Sequence, residues 1–440
     1  MKQIFAILLL FFSVAPHFSS AQAYTYWSVG DTADVMANAQ PGLLLAGGGG
    51  DNDDAMTWFL QHSGGGDIVV IRASGSDGYN SYLFGSLGVT VNSVETIRFD
   101  AAAAANDPWV IAKIRNAEGL FIAGGDQYDY YQYWRNTPIE NAINYLIDVK
   151  GVPVGGTSAG MAILGEVYYT PSGGSVDSAE ALGNPYHPDM DIIGRDDFLL
   201  HPWMDNTITD THFDDRDRAG RTMAFLARME TDWGIDAFAI ACNEYTAVAV
   251  DSTGLARVFG ETPNYPDYAY FMQSNCDVPG SVPETCSSGT PLHWERGQEA
   301  VKVYKVGGTE TGANTFSLVD WETGSGGEWQ DWYVMNGTLM RNFNAAALCL
   351  GTSVEGEWKE EVVFPTVFGD GLTADFTVRF GQKMHGVLEV WDLTGRKMHG
   401  RNLEGQEETT VEAGDWAKGM YVVRWRAEEG KWKSQRVIKQ

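Results

Sequence analysis

The stretch Gly155-Gly-Thr-Ser158-Ala-Gly-Met-Ala162 holds a Gly-x-Ser-x-Gly pattern and directly follows the apolar run Gly151-Val-Pro-Val154. Small residues on both sides of a serine let a strand double back into a helix and expose the hydroxyl at the tip. A Gly/Ser-rich helix start that binds an anion is the alternative reading. A serine nucleophile needs a base, and eight histidines are available. His212 lies in Asp210-Thr-His-Phe-Asp-Asp-Arg216-Asp-Arg218-Ala-Gly-Arg221, where three cations fall within six positions of one another. Positive charge gathered beside a histidine suits an anionic ligand group; arginines paired with Asp214, Asp215 and Asp217 on a helix are the alternative. His62, His187, His201 and His293 have no comparable neighbours.

Two glycine turns, Gly47-Gly-Gly-Gly50-Asp51 and Gly124-Gly-Asp-Gln127, also follow apolar runs. Glycine there lets backbone N–H groups approach a ligand or an oxyanion. Neither turn has the Lys-Ser/Thr of a phosphate loop or the spacing of a dinucleotide fingerprint. Asp51, Asp53 and Asp54 do not meet EF-hand spacing, and no cysteine pair has zinc spacing. No metal and no cofactor is expected.

The elements that must position these residues alternate. Gly42–Ala46, Asp67–Ala73, Glu95–Phe99, Gly119–Ala123 and Gly151–Val154 read as buried strands, and 111–117 and 139–149 as helices, the second opened by Thr137-Pro138. Such alternation predicts a parallel sheet covered on both faces, with function at the C-terminal ends of its strands. Beyond residue 360 the rhythm changes to short alternating strands, Asp375–Phe380, Gly386–Trp391, Thr409–Glu412 and Met420–Trp425, which indicate a small β-sandwich. Charge divides the chain at the same place: residues 24–359 hold 17 basic and 45 acidic side chains, residues 360–440 hold 12 and 13. A formal balance of −28 over 440 residues argues against nucleic acid as a partner. Globular composition, 44% hydrophobic and 20% charged, excludes wholesale disorder.

Residues 1–23 read as a secretory leader, with Lys2, an apolar run from Ile4 to Val14 and an Ala21-Gln-Ala23 end. An oxidising destination favours a local bridge between Cys276 and Cys286, while Cys242 and Cys349 sit in apolar stretches and read as core thiols.

Gly124-Gly125-Asp126-Gln127, the Gly156–Gly160 elbow, the Asp210–Arg221 segment and Asn243-Glu244-Tyr-Thr-Ala247 together resemble the peptidase E and cyanophycinase family of serine peptidases, over most of residues 42–260. The resemblance implies an α/β, parallel-sheet three-layer domain with a nucleophile elbow, of the class I glutamine amidotransferase-like kind, spanning 24–355. It implies Ser158 as nucleophile, His212 as general base, Glu244 as the carboxylate that orients it, and the N–H groups of Gly125 and Ala159 as oxyanion hole. Gln127, Asp210, Arg216, Arg218 and Arg221 match substrate-binding positions. The implied activity is hydrolysis of β-aspartyl amide bonds in a peptide or cyanophycin-like polymer, releasing β-Asp-Arg dipeptides. An aspartyl dipeptidase of the same family and an esterase using the same elbow are the alternatives. Met161 and the expanded, aromatic-rich stretch 168–205 depart from the family pattern. Residues 360–440 resemble the C-terminal sorting domain of proteins exported by the type IX secretion system, through Val363-Phe-Pro365, Asp392-Leu-Thr-Gly-Arg396, Lys418-Gly-Met-Tyr421 and the basic terminus. That implies the outer-membrane secretion machinery as a partner and a secreted or cell-surface protein; a homodimer is left open.

Overall fold

The computed structural model describes residues 22–275, 282–343, 345, 362–363, 367–368, 375–392, 396–417, 419–427 and 433–439. The leader up to residue 21, Cys276 of the expected bridge, Cys349 and residues 351–356 at the end of the first module lie outside the described residues. Cys242 is a fully buried thiol, as its apolar surroundings imply.

The chain opens with β1 (Tyr24–Gly30) and β2 (Gly42–Ala46), then runs through α1 (Asp53–His62), β3 (Asp67–Arg72), the short α2 (Gly78–Ser81), β4 (Ser93–Phe99), α3 (Pro108–Asn116), β5 (Gly119–Ile122), α4 (Gln127–Trp134), α5 (Pro138–Tyr145), β6 (Pro153–Thr157) and α6 (Ala159–Ala162). Local chemistry sets the helix starts: the side chains of Asn52, Asp107, Asp126 and Thr137 accept backbone N–H bonds at the starts of α1, α3, α4 and α5, and proline opens α3 and α5. Strands β4, β3, β5, β6 and β2 lie side by side in that order, all parallel. Their side chains alternate between two buried faces. Leu43, Val69, Ile71 and Leu120 pack with Ile114, Trp134 and Ile143 from α3, α4 and α5. Leu44, Val70 and Phe121 pack with Phe59 and Leu60 of α1. Both faces being covered explains why these strands read as continuous apolar runs.

The rest of the first module is mostly strand: β7 (Val167–Tyr169), α7 (Ser178–Gly183), β8 (Ile193–Arg195), β9 (Thr207–Asp210), α8 (Ala219–Arg228), β10 (Phe238–Cys242), β11 (Ala247–Asp251), β12 (Leu255–Phe259), β13 (Tyr268–Ser274), β14 (Val301–Gly307), β15 (Asn314–Ser317), β16 (Gly324–Ser325), β17 (Gly327–Met335) and β18 (Thr338–Phe343). Antiparallel β1 extends the parallel block at one edge and β11, β12, β15 and β16 at the other, making a ten-stranded mixed sheet. A second sheet of eight strands has the order β18-β17-β14-β13-β10-β9-β7-β8. Ile240 and Phe271 from it share a core with Val248 and Phe316 of the first sheet, and the Phe271 and Phe316 rings stack at 4.3 Å. The opposite side of the second sheet, with Ala239 and Met272, is covered by Met223, Phe225 and Leu226 of α8. The α/β expectation therefore holds, and a second, largely antiparallel sheet adds to it.

The C-terminal module contains β19 (Val362–Val363), β20 (Val367–Phe368), β21 (Phe376–Asp392), β22 (Lys397–Val411), β23 (Gly419–Ala427) and β24 (Lys433–Lys439), joined in one six-stranded, sandwich-like sheet. Its core cluster, including Val378, Leu388, Tyr421 and Val437, draws only on residues of this module. Two strands expected at 375–380 and 386–391 are one long strand, with its pairing to β22 interrupted between Arg379 and His385. A bulge of this kind bends a strand without ending it.

Candidate active site

Ser158 sits between the end of β6 and the start of α6 with φ +53° and ψ −117°, a backbone conformation that a side chain rarely adopts. The two flanking glycines are sterically required. A Cβ on Gly156 would lie 2.5 Å from the carbonyl carbon of Gly160, and one on Gly160 would lie 2.0 Å from the Ile122 carbonyl oxygen. The strand-to-helix reversal is thus packed against itself and against the end of β5, leaving Ser158 partly exposed at the tip.

The Ser158 hydroxyl lies 2.7 Å from His212 Nε2, and His212 Nδ1 lies 2.5 Å from Glu244 Oε1. With a carboxylate accepting at Nδ1, that nitrogen carries the proton and Nε2 is free to accept one from the serine. His212 follows β9 and Glu244 follows β10, adjacent parallel strands of the second sheet. The first sheet delivers the serine and the second delivers its two partners. His212 is only 4% exposed, and burial lowers its pKa; the hydrogen bond and charge of Glu244 oppose that shift, while Arg216 and Arg218 reinforce it. A neutral, oriented imidazole beside a serine hydroxyl is competent for general-base activation.

The first glycine turn has a different job from the one its sequence suggests. Its carbonyls anchor the partner loops: His212 N–H donates to Gly47 O and Tyr245 N–H to Gly48 O, both at 2.9 Å. A Cβ on Gly48 would come within 2.5 Å of the His212 ring, and one on Gly49 within 2.6 Å of Glu244 Oε2. These glycines leave room for the two side chains to meet the serine, and the only sequence signal for it is four consecutive glycines after a strand. The second turn passes the serine directly, since a Cβ on Gly124 would stand 3.5 Å from Ser158 Cβ. Gly125 follows Gly124 in that turn, and Ala159 opens α6 directly after Ser158. Gln127 is half-buried at the first position of α4, behind Asp126, which caps the helix.

The expected substrate-binding set divides. Arg216 is exposed and close enough to His212 to influence its ionisation. Asp210 and Arg221 instead face each other. Arg221 donates from Nε to Asp210 Oδ2 at 2.9 Å and from Nη2 to Oδ1 at 2.5 Å, and Thr222 Oγ1 donates to Oδ2 at 2.7 Å. Asp210 is 1% exposed and Arg221 3%. Arg221 also reaches Ser175 Oγ at 2.6 Å, within the expanded stretch, and stacks over Tyr169 at 5.4 Å. Arg218, buried as well, donates to the carbonyl and hydroxyl of Thr211; burial, with the charge of Arg221, brings its pKa down to about 10. The charges of Asp210 and Arg221 are therefore paired within the protein, and the pair braces the segment that carries His212.

Residues 73–184 match Peptidase family S51, and residues 367–440 match the secretion system C-terminal sorting domain. The S51 match includes the second glycine turn and the serine elbow but ends before His212 and Glu244. The chain is 26% identical over 186 residues to a cyanophycinase of Synechococcus elongatus, covering 40% of this chain and 49% of that protein. It is 27% identical over 159 residues to a cyanophycinase of Trichormus variabilis, covering 34% and 45%. The chain therefore spans about half the length of the curated relatives it matches. A solved peptidase from an acI-B1 Actinobacterium covers 63% of this chain and 97% of its own, at 14% identity and a TM-score of 0.41.

Proposed function

We propose that residues 24–355 form an exported serine peptidase that cleaves amide bonds by acyl transfer through Ser158. The observation that carries this reading is the continuous relay from Ser158 through His212 to Glu244, with contacts of 2.7 and 2.5 Å. His212 takes the serine proton as the hydroxyl attacks the scissile carbonyl, and Glu244 steadies the imidazolium that forms. The N–H groups of Gly125 and Ala159 hold the oxyanion. His212 then returns the proton to the leaving amine, and water, activated in the same way, releases the acyl group.

The finer reading is a cyanophycinase-type substrate, with β-aspartyl-arginine units; the similarity to two cyanophycinases and the S51 match support it. Arg216, an exposed cation that acts electrostatically on His212, is the candidate partner for a substrate carboxylate, and Gln127 at the head of α4 is a further candidate contact. Residues 1–23 act as the leader, and residues 360–440 pass the protein to the type IX secretion machinery for release or display at the cell surface, a role supported by the sorting-domain match. The test is hydrolysis of cyanophycin, a β-aspartyl dipeptide and a short acyl ester by purified wild type, Ser158→Ala and His212→Ala. Each substitution should cost at least about a thousandfold in kcat/KM on the preferred amide; losses within about tenfold, or turnover confined to the ester, would remove the reading.

A further inference from the structure

Tyr130 is a buried titratable group that the relay does not use, yet it meets the second glycine turn. It lies on the buried face of α4 and stacks its ring on Trp134 at 4.4 Å. Its hydroxyl donates to Ala123 O at 2.8 Å and shares that hydrogen with Gly124 O at 3.2 Å. The backbone of Ala73, just past β3, hydrogen-bonds the same oxygen. Burial holds the phenol above its usual pKa range, so the hydroxyl remains a donor at neutral pH. One side chain thus ties together the ends of β3 and β5 at the edge of the candidate active site.

The turn is shaped around this hydroxyl. Neither Gly124 nor Gly125 has a positive φ, so backbone conformation does not require glycine at either place. Space does at 125, where a Cβ would lie 2.8 Å from the Tyr130 hydroxyl oxygen and 3.3 Å from Ser74 Oγ. At 124 the neighbour is the serine, with Ser158 Cβ 3.5 Å and Ser158 Oγ 4.0 Å from a Cβ. The Gly124–Gly125 peptide is trans, and in a trans peptide the carbonyl and the N–H point in opposite directions. With Gly124 O held by the buried phenol, the Gly125 N–H is turned away from Tyr130. A glycine–glycine peptide resists rotation as a unit least of all, because no side chain restricts φ and ψ on either side of it. The bond to Tyr130 opposes that rotation.

We infer that Tyr130 is a positioning residue of the reaction: its hydroxyl fixes the Gly124–Gly125 peptide so that the Gly125 N–H is available to the oxyanion formed at Ser158. The inference rests on the peptidase reading, and the two fail in different ways. Tyr130→Phe deletes one oxygen and keeps the ring stack. It is compared with wild type on whichever of cyanophycin and a β-aspartyl dipeptide wild type cleaves faster. Removing an oxyanion donor outright costs about a hundredfold to a thousandfold in kcat. Loosening one should cost less, about tenfold in kcat, with KM within about twofold of wild type. The acid limb of kcat/KM should stay in place, because the groups that set the His212 pKa do not include Tyr130. A purely architectural hydroxyl predicts instead a lower Tm with unchanged kcat. Gly125→Ala, in an exposed turn, decides the matter should Tyr130→Phe not fold: its Cβ presses on the same hydroxyl and should lower kcat with KM kept. Wild-type kcat in folded Tyr130→Phe or in Gly125→Ala overturns the inference, as does a loss carried by KM or by a shifted acid limb. In those cases wild type still hydrolyses the amide, and the peptidase reading stands. Wild type that cleaves neither amide and resists a serine-directed fluorophosphonate at Ser158 removes the peptidase reading and the role of Tyr130 with it.

Discussion

Replacing Arg221 by Leu tests whether the arginine cluster is architecture or ligand site. The substitution removes two hydrogen bonds to Asp210 and one to Ser175, and leaves a carboxylate that is 1% exposed without its cation. Breaking a buried pair by removing one partner costs about 3–5 kcal/mol, because the remaining charge is uncompensated. Thr222 and Arg218, the latter 3.9 Å from Asp210, offset part of that, so the lower end, about 3 kcal/mol, is expected. The assay is urea unfolding of wild type, Arg221→Leu and the double variant Asp210→Leu with Arg221→Met. Matched apolar replacement of both partners is often close to neutral, so the double variant should recover most of the loss. The same pair gives an acid dependence. Burial raises the Asp210 pKa, but Arg221, Arg218 and Thr222 bring it below the ordinary value. A depressed folded pKa contributes stability that is complete above the unfolded value of about 3.9 and is lost as pH falls through the folded one. Wild type should show that loss and the double variant should not. If Arg221→Leu unfolds at the wild-type urea concentration yet loses turnover only of acidic substrates, Arg221 is a substrate ligand and the structural reading is wrong.

Other outcomes follow from the relay. Because burial lowers the pKa of His212 below 6.5, the base stays neutral to lower pH than an ordinary histidine, and the acid limb of kcat/KM should lie below 6.5. Arg216→Gln removes one of the charges that lower it, so the limb should move to higher pH; movement the other way would contradict the electrostatic account. Gly48→Ala places a Cβ 2.5 Å from the His212 ring at φ +98° and should reduce kcat/KM about a hundredfold, the scale of a misplaced catalytic group. Gly183→Ala, with open space around its Cβ position, is the matched control and should leave both activity and Tm unchanged. Truncation after residue 355 should leave hydrolysis of small peptides intact in purified protein; an inactive truncation would join the C-terminal module to the site.

The parallel block and the elbow were legible because their constraints are local. Apolar runs between capped helices specify strands buried on both faces, and Thr137-Pro138 marks its helix start without ambiguity. Ser158 was legible from its motif and His212 from its charged neighbours, but Glu244 and the assembly of the three only by resemblance, since they are separated by 54 and 32 residues and meet through two different sheets. Strands β12 to β18 were not foreseen. Their apolar residues alternate with Lys302, Lys305, Asp331 and similar polar groups, and their partners are set by long-range pairing. Gly381 and Gly386 suggested a turn, yet the strand continues across the interrupted pairing that contains Gly381, and Gly386 is paired with both β22 and β23. The pairing of Arg221 was hidden for a related reason. Sequence reveals that a cation is present, but not whether its carboxylate is eleven residues upstream on a neighbouring strand or on a ligand.

The central claim, that Ser158 is a nucleophile activated by His212, is tested most directly by covalent labelling. Purified protein is treated with a serine-directed fluorophosphonate and the adduct is located by peptide mass spectrometry. The expected result is a single adduct on the peptide containing Ser158, lost in Ser158→Ala and slowed at least about a thousandfold in His212→Ala. An adduct on another residue, or labelling of Ser158 at an undiminished rate without His212, would contradict the account.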